Sequence, residues 1–161
     1  MRYLHILLLG LLMALLVSCA PEKKNKLEGA WELVSAKVTS PDTTIEYNQA
    51  RWKQIKLVTK SRFAFVGQEP NRPNYKGRGD DSELLAAART FFAGGGKYTL
   101  EGDMYTEHIE FFLTPNYVPV SIPYKCQVEG DQWTLSGKLP TKSLGLEDFD
   151  WELYEVWRRM E

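Results

Sequence analysis

The sequence predicts an all-β fold, a sandwich or a barrel, made of eight short antiparallel strands with one inserted helix. Three observations favour this class: short segments that alternate apolar and polar residues, turn residues between them, and a body rich in aromatic side chains. From residue 19 onward the chain holds 19 aromatic residues against 12 leucines. Aromatic side chains suit the pleated, half-buried face of a strand, so this balance favours strands over a helical bundle.

Composition and charge place the chain among ordinary globular proteins of one domain. Of its 161 residues, 25% are charged and 43% are hydrophobic, and the formal net charge is -1. That near-neutral balance lacks the basic excess of nucleic-acid-binding proteins, so we expect no nucleic-acid partner. No glycine-rich motif stands between a strand and a following helix, and we expect no cofactor.

The first 18 residues are predicted to be a secretory signal peptide. A basic residue, Arg2, precedes an apolar run from Ile6 to Val17. As a helix these twelve residues would span roughly 18 Å, which is short of the ~30 Å hydrocarbon core of a bilayer. Such a run is typical of a cleaved signal and not of a membrane-spanning anchor.

The apolar run ends in Leu16-Val17-Ser18-Cys19, which resembles the lipobox of bacterial lipoproteins. The resemblance implies that Cys19 begins the mature chain and carries acyl chains such as palmitate, which would hold the protein at a membrane. Residues 19–26 would then be a polar tether, and residues 27–161 the folded domain. Ala20 lacks the acidic character associated with inner-membrane retention in some lipoproteins, so we expect the outer membrane of the cell envelope.

Eight segments of the domain alternate as strands do, and turn residues separate them. Hairpins are expected at Lys60-Ser61, Gly102-Asp103 and Gly130-Asp131, because glycine and short polar residues favour tight turns. The predicted strands are Ala30 to Thr39, Trp52 to Thr59, Arg62 to Val66, Tyr98 to Glu101, Met104 to Leu113, Ile122 to Glu129, Gln132 to Gly137 and Asp148 to Arg159.

One helix is predicted in the middle of the chain, after a polar loop from Gly67 to Gly79. Asp80-Asp81-Ser82-Glu83 supplies carboxylates that suit the first turn of a helix. The helix would continue from Leu84 to Ala93 and end at Gly94-Gly95-Gly96, because glycine readily adopts left-handed caps. Phe91 and Phe92 would then lie on this helix, one packed on the domain and its neighbour pointing elsewhere, so that the helix either caps a cavity or simply packs on the barrel.

The two ends of the domain carry a further pattern: Leu27-Glu28-Gly29-Ala30-Trp31 at the start and Trp157-Arg158-Arg159 at the end. With segments 55–66, 94–100 and 105–110, this pattern resembles lipocalins and the wider calycin group, and in particular the lipocalin-like lipoproteins of Bacteroides-type bacteria. The resemblance runs from Leu27 to Glu161 and implies an eight-stranded antiparallel barrel. It also implies that Trp31 closes the barrel base and that Arg158 packs across it as a cation–π contact. The inserted helix departs from the pattern of the group, whose helix follows the last barrel strands.

A barrel of eight strands is either filled by side chains or holds one small ligand. Alternation along Met104 to Leu113 separates two faces, and the more apolar one is predicted to point inward. That inward set is Tyr105, Glu107, Ile109, Phe111 and Leu113.

The candidate ligand-binding residues are Glu107 and three tyrosines on apolar faces, Tyr98, Tyr105 and Tyr124. An ionised carboxylate inside a barrel is costly unless it finds a partner, and with the tyrosines it can orient a ligand by hydrogen bonds. The competing interpretation is that Glu107 lies in water near the mouth or bonds a tyrosine for structural reasons only.

No catalytic or metal centre is predicted. His108 and Glu110 share a strand face, but no nucleophile can be placed beside them from the sequence. His108 is the only histidine left once the signal is removed, which argues against a metal site. Cys126 alternates with apolar residues and is expected to be a small buried side chain; with Cys19 acylated, it has no disulfide partner.

The sequence thus favours a monomeric, lipid-anchored envelope protein that is not an enzyme and that binds a small, mostly hydrophobic ligand in its barrel. An alternative of a different class is a filled barrel that serves as an interaction or structural lipoprotein. Its loops, with Tyr75 and Arg78, would contact an envelope protein or a glycan. A cavity above roughly 300 Å³ with converging polar groups would favour ligand binding.

Overall fold

The computed structural model describes residues 25–72 and 74–160, which contain nine antiparallel strands, one α-helix and one 3₁₀ turn. The strands are β1 (Gly29–Thr39), β2 (Thr44–Asn48), β3 (Lys53–Val58), β4 (Arg62–Gln68), β5 (Phe91–Glu101), β6 (Met104–Phe112), β7 (Ser121–Glu129), β8 (Gln132–Leu139) and β9 (Trp151–Arg159). Helix α1 (Asp81–Arg89) lies between β4 and β5, and the 3₁₀ turn (Pro115–Tyr117) lies between β6 and β7. Within these two ranges, no helix has both the length and the apolarity needed to cross a bilayer. The predicted signal peptide, Cys19 and most of the tether lie outside the described residues.

Eight of the strands close into a barrel. Neighbours follow the order β1, β3, β4 and onward to β9, and β9 pairs again with β1. Strand β2 stands outside this ring and pairs with the second half of β1, beyond the four residues that pair with β3. Closure leaves few unpaired strand edges at which another chain could pair. The eight-stranded antiparallel barrel with one inserted helix is therefore confirmed.

The tight turns follow the glycines, whereas the short strand β2 is not predicted from the sequence. Gly102 and Gly130 turn their hairpins with φ of +65° and +57°, conformations that favour glycine. The alternation of β2 is limited to Ile45 and Tyr47, too short a pattern to distinguish a strand from a loop. Strand β2 pairs with β1 so that Ile45 lies opposite Val38, and it extends the barrel wall on one side of the open end.

Helix α1 begins as predicted but ends early. Asp80 accepts a hydrogen bond from the backbone of Glu83, and the Glu83 side chain accepts one from Asp80 in return. The backbone hydrogen bond from Glu83 lowers the pKa of Asp80, which keeps this cap ionised. The helix stops at Arg89, and β5 starts at Phe91, so the placement of Phe91 and Phe92 on a helix is wrong.

The reason lies in the three glycines, which belong to β5 and do not cap the helix. A Cβ on Gly96 would lie 2.0 Å from the carbonyl oxygen of His108, and one on Gly94 would lie 2.6 Å from the Phe65 ring. Glycine therefore lets β5 bend closely against its two neighbours at this corner of the barrel.

A β-bulge in β6 interrupts the alternation of that strand. Gly95 lies opposite Phe111, whereas the next residue, Gly96, lies opposite Ile109. Glu110 is therefore an extra residue, and one extra residue reverses the inward and outward faces beyond it.

The bulge decides which aromatic side chains enter the barrel. Phe112 packs against the core, whereas Phe111 is 68% exposed and Leu113 is also exposed. The prediction that Phe111 and Leu113 point inward is therefore wrong. Before the bulge, the inward placement is confirmed by the burial of Tyr105, Glu107 and Ile109.

The outer wall of β3 to β6 is apolar. Two cross-strand rows cover it, one made of Leu57, Ala64, Gly95 and Phe111, the other of Ile55, Val66, Ala93 and Leu113. Because Ile55 and Leu57 face outward, Lys56 and Val58 on the same strand point into the barrel. Because the apolar residues of β3 face outward and the alternate residues face inward, a lysine enters the interior of the barrel.

Candidate functional site

One end of the barrel is sealed by Trp31. This side chain is fully buried, and its indole nitrogen donates a hydrogen bond to the Leu27 carbonyl at 2.8 Å. The Arg159 guanidinium lies 4.1 Å from the centre of the Trp31 ring and donates to the carbonyls of Glu28 and Lys26. Every polar group in this seal has a partner, so the structure gives it a closing role.

The cation over Trp31 is Arg159 and not Arg158, so the assignment of Arg158 to barrel closure is wrong. Trp157 points inward, and two-residue alternation then sends Arg158 outward and Arg159 inward. Arg158 lies on the outer surface, where it forms an ion pair with Glu32.

A cavity of about 960 Å³ opens at the opposite end. Its lining combines polar groups with apolar and aromatic side chains, the latter including Leu33, Phe65, Phe92, Phe112 and Leu153. Two aromatic pairs stiffen one side, since the Phe92 ring lies 5.0 Å from Phe65 and 5.1 Å from Phe112. A cavity of this size, lined in this way, lies within the range that small-molecule sites occupy.

The mouth of the cavity is formed by loops and by the end of α1. Arg51, Glu69, Arg89 and Glu147 line it, two basic and two acidic side chains. The loop after β4 is held to the helix by Arg72, which donates to the Thr90 hydroxyl and to the Ala87 carbonyl. Although Phe91 and Phe92 are not on α1, the helix does lie beside the opening.

A buried ion pair forms the cavity floor. The Lys56 ammonium lies 2.9 Å from the Glu107 carboxylate, and both side chains are 4% exposed. The ammonium also faces aromatic rings, at 4.9 Å from the centre of Trp157 and 5.3 Å from that of Trp133. These contacts offset part of the cost of burying the charge.

A second carboxylate, Glu155, faces the cavity beside this pair. One of its oxygens accepts a hydrogen bond from the Trp157 indole at 2.9 Å. Burial raises the pKa of Glu155, the positive charge of Lys56 lowers it, and the negative charge of Glu107 adds a smaller upward push. Within the described part of the chain, no ion pair includes Glu155. The floor therefore holds two carboxylates and one ammonium.

Of the four predicted ligand-binding residues, the structure brings two to the cavity. Glu107 and Tyr124 line it, and burial raises the pKa of Tyr124 well above its ordinary value, so its hydroxyl stays protonated.

Tyr98 and Tyr105 do not line this cavity and lie below its floor. The Tyr98 hydroxyl donates to the Thr59 carbonyl at 2.8 Å and accepts from Asn25 at 3.0 Å, both at the sealed end. The Tyr105 ring packs between Tyr98 and Trp133, with centres 5.2 Å and 5.4 Å away. Alternation predicts the face of a strand residue but not its height in the barrel.

Lys56 and Glu155 are site residues that the sequence reasoning missed. On β3 the apolar side chains of Ile55 and Leu57 suggest that these two residues point inward and that Lys56 points outward. No pattern in that strand alone therefore reveals that Lys56 lies inside the barrel. Glu155 has a clearer signal, because it stands two residues before the inward Trp157 and therefore shares its face.

The polar residues considered for catalysis are engaged elsewhere on the surface. His108 contacts the Ser121 hydroxyl at 2.8 Å and the Thr99 hydroxyl at 3.3 Å. Glu110 pairs instead with Arg62, at 2.6 Å. Cys126 is a free, half-buried thiol, and burial raises its pKa, which makes it a weak nucleophile.

Comparison with known proteins places this geometry in a family. The family model for the lipocalin-like domain matches residues 28–160. A crystal structure of a lipocalin-like protein from Bacteroides uniformis ATCC 8492 is similar, with a TM-score of 0.44 and 12% identity over 84% of this chain and 100% of that one. No curated protein matches the chain. The chain, with its sealed base, its open cavity and a family match across nearly the whole barrel, belongs to the family of lipocalin-like domains.

Proposed function

We propose that this protein is a lipid-anchored lipoprotein of the cell envelope that binds a small, mostly apolar ligand in its barrel. A lipocalin-like barrel suits ligand binding in general, and the observation that carries the proposal is the cavity of about 960 Å³. It combines apolar and aromatic side chains with polar groups at its floor and its mouth, and such a concave site can hold a small molecule. No reaction is assigned to the protein.

The anchor rests on the run Leu16-Val17-Ser18-Cys19, and the barrel geometry is compatible with it. The chain enters the described part at the sealed end, where Asn25 bonds Tyr98 and the Leu27 carbonyl bonds Trp31. A lipid on Cys19, six residues before Asn25, would lie within about 20 Å of that end. The mouth at the opposite end would then stay open to ligand.

Filling the cavity tests ligand binding directly. Val38 lines the cavity, whereas its neighbour Lys37 is exposed on the outer face of β1. In the full chain, Val38→Trp should reduce the uptake of the neutral probe N-phenyl-1-naphthylamine at least about fivefold, because the added ring occupies the space. Lys37→Trp is the matched control and should leave uptake unchanged.

Two outcomes would contradict the proposal. Equal probe uptake by the Val38→Trp and Lys37→Trp proteins would mean that the probe binds elsewhere. In the second outcome, the unmodified chain would take up no probe and would instead capture a stoichiometric envelope partner. If Tyr75→Ala or Arg78→Ala then weakened that capture, the result would favour the interaction lipoprotein.

The anchor has its own test. Cys19→Ala should move the protein from the membrane fraction to the soluble fraction, since the acyl chains would be lost. Continued membrane association of this variant would remove the anchor from the proposal while leaving ligand binding unaffected.

A further inference from the structure

We propose that the cavity selects an amphipathic ligand whose polar end is a protonated amine, received by Glu155, and that it disfavours ligands ending in a carboxylate. This selectivity rests on the ligand binding proposed above and concerns which end group the floor accepts. It follows from the charges of the floor, from the geometry of Glu155 and from the enclosure of Lys56.

The floor carries two acidic side chains and one basic side chain. Lys56 is the basic residue on it, and it bonds Glu107 at 2.9 Å. Glu155 is the second carboxylate, and Tyr124 stays neutral because burial raises the pKa of its hydroxyl. A ligand cation would complete two opposite-charge pairs, whereas a ligand carboxylate would place a third negative group beside two others.

Glu155 has the geometry of a receiving group. The Trp157 indole holds one carboxylate oxygen at 2.9 Å and so fixes the side chain. The other oxygen has no hydrogen bond to any residue in ranges 25–72 and 74–160. Because Glu155 lines the cavity and is not fully buried, a ligand can reach that oxygen from the mouth.

Lys56 cannot serve a ligand carboxylate without losing its own partner. Its side chain is 4% exposed, and its ammonium is bonded to Glu107 and enclosed by the rings of Trp157, Trp133, Phe65 and Phe63 at 4.9 to 5.9 Å. A ligand carboxylate would have to displace Glu107, which would leave that carboxylate buried and unpaired.

The rest of the cavity suits an apolar tail. Above the floor, the aromatic side chains of Phe92 and Phe112 and the aliphatic ones of Leu139 and Leu153 continue toward the mouth. The mouth itself is balanced, with Arg51 and Arg89 against Glu69 and Glu147, so its net charge does not favour either sign of ligand.

A matched ligand series tests the selectivity. Octylamine, octan-1-ol and octanoate share one tail and differ in the end group, and at pH 7 the amine is protonated and the acid ionised. Isothermal titration calorimetry on the full chain should rank them in that order, with octylamine at least about tenfold tighter than octanoate.

Two variants of β9 locate the preference. Glu155→Gln should lower the affinity for octylamine at least about fivefold and change that for octan-1-ol less than about twofold, because only the charge interaction is lost. Glu152→Gln removes the same charge from the outer face of the same strand, where Glu152 pairs with Lys138, and should change neither.

The outcomes separate this inference from the proposed function. If octanoate binds as tightly as octylamine, or if Glu155→Gln keeps the amine preference, the selectivity is wrong while ligand binding stands. If none of the three ligands nor the neutral probe binds, both proposals fail. The ranking on the unmodified chain decides the matter even if the Glu155→Gln protein does not fold.

Discussion

Two cations lie against tryptophan rings in this barrel, one at each level of the interior. At the sealed end, Arg159 lies 4.1 Å from the centre of Trp31, donates to two backbone carbonyls and pairs with Asp131 at 3.6 Å. At the cavity floor, Lys56 lies 4.9 Å from the centre of Trp157 and bonds Glu107. The contacts are of the same kind, but their surroundings differ.

The difference lies in what is left unpaired. At the sealed end, Asp131 matches the charge of Arg159 and two backbone carbonyls accept its donors, so nothing there calls for a further group. The floor contains one carboxylate more than its ammonium can neutralise, and that carboxylate faces open space. A cation among aromatic rings therefore helps to close the barrel at one level, and at the other it lies beside the carboxylate that we propose receives a ligand.

The largest expected effect comes from removing the cation of the floor. Lys56→Met would leave Glu107 and Glu155 facing each other without a positive charge, and should lower the free energy of unfolding by about 3 kcal/mol in urea denaturation. The double variant Lys56→Met/Glu107→Gln should recover most of this loss, because it removes the unpaired buried charge. A double variant no more stable than the single one would show that the ion pair is not the source of the loss.

A smaller effect is expected at the sealed end. Arg159→Ala should cost about 1 to 2 kcal/mol, since it removes a cation–π contact and leaves two carbonyls without these donors. Arg158→Ala, the adjacent control on the outer face, should cost less than about 1 kcal/mol, as exposed ion pairs do. Equal losses in urea denaturation would overturn the assignment of the seal to Arg159.

The smallest effect is a pH dependence from Glu155. Burial raises the pKa of Glu155 above its ordinary value of 4.5, so the folded protein holds this proton more tightly than the unfolded chain. Its favourable contribution is complete below about pH 4.5 and is lost as the pH rises through the raised value. The stability of the unmodified protein relative to Glu155→Gln should therefore fall over that range, and a relative stability that rises instead would contradict the burial of an ionisable Glu155.

Local signals predicted the parts of this fold that depend on neighbouring residues. The cap formed by Asp80 and Glu83 marks the helix start, and Gly102 and Gly130 mark two hairpins, because each structure is specified within four or five residues. Alternation likewise placed Glu107 inside, since the inward side of β6 is the more apolar one up to the bulge.

The errors come from features that only pairing between distant strands determines. The outward position of Ile55 and Leu57, which turns Lys56 inward, depends on a shared apolar wall with β4 to β6. The height of Tyr98 in the barrel depends on its register with β4, where its backbone bonds Ser61. Neither is encoded in one strand, so the sequence could not show that Lys56 lies at the cavity floor and Tyr98 below it.

The extra residue Glu110 also makes the mouth adjustable in discrete steps. A substitution alters one side chain where it stands, whereas a shift of the bulge along β6 would exchange the inner and outer roles of the residues between its old and its new place. With the bulge moved beyond Leu113, Phe111 and Leu113 would enter the barrel and Phe112 would turn to solvent, which would reshape the opening without altering the floor. The position of the bulge, more than the type of residue, would thus set the shape of the opening over a constant polar base.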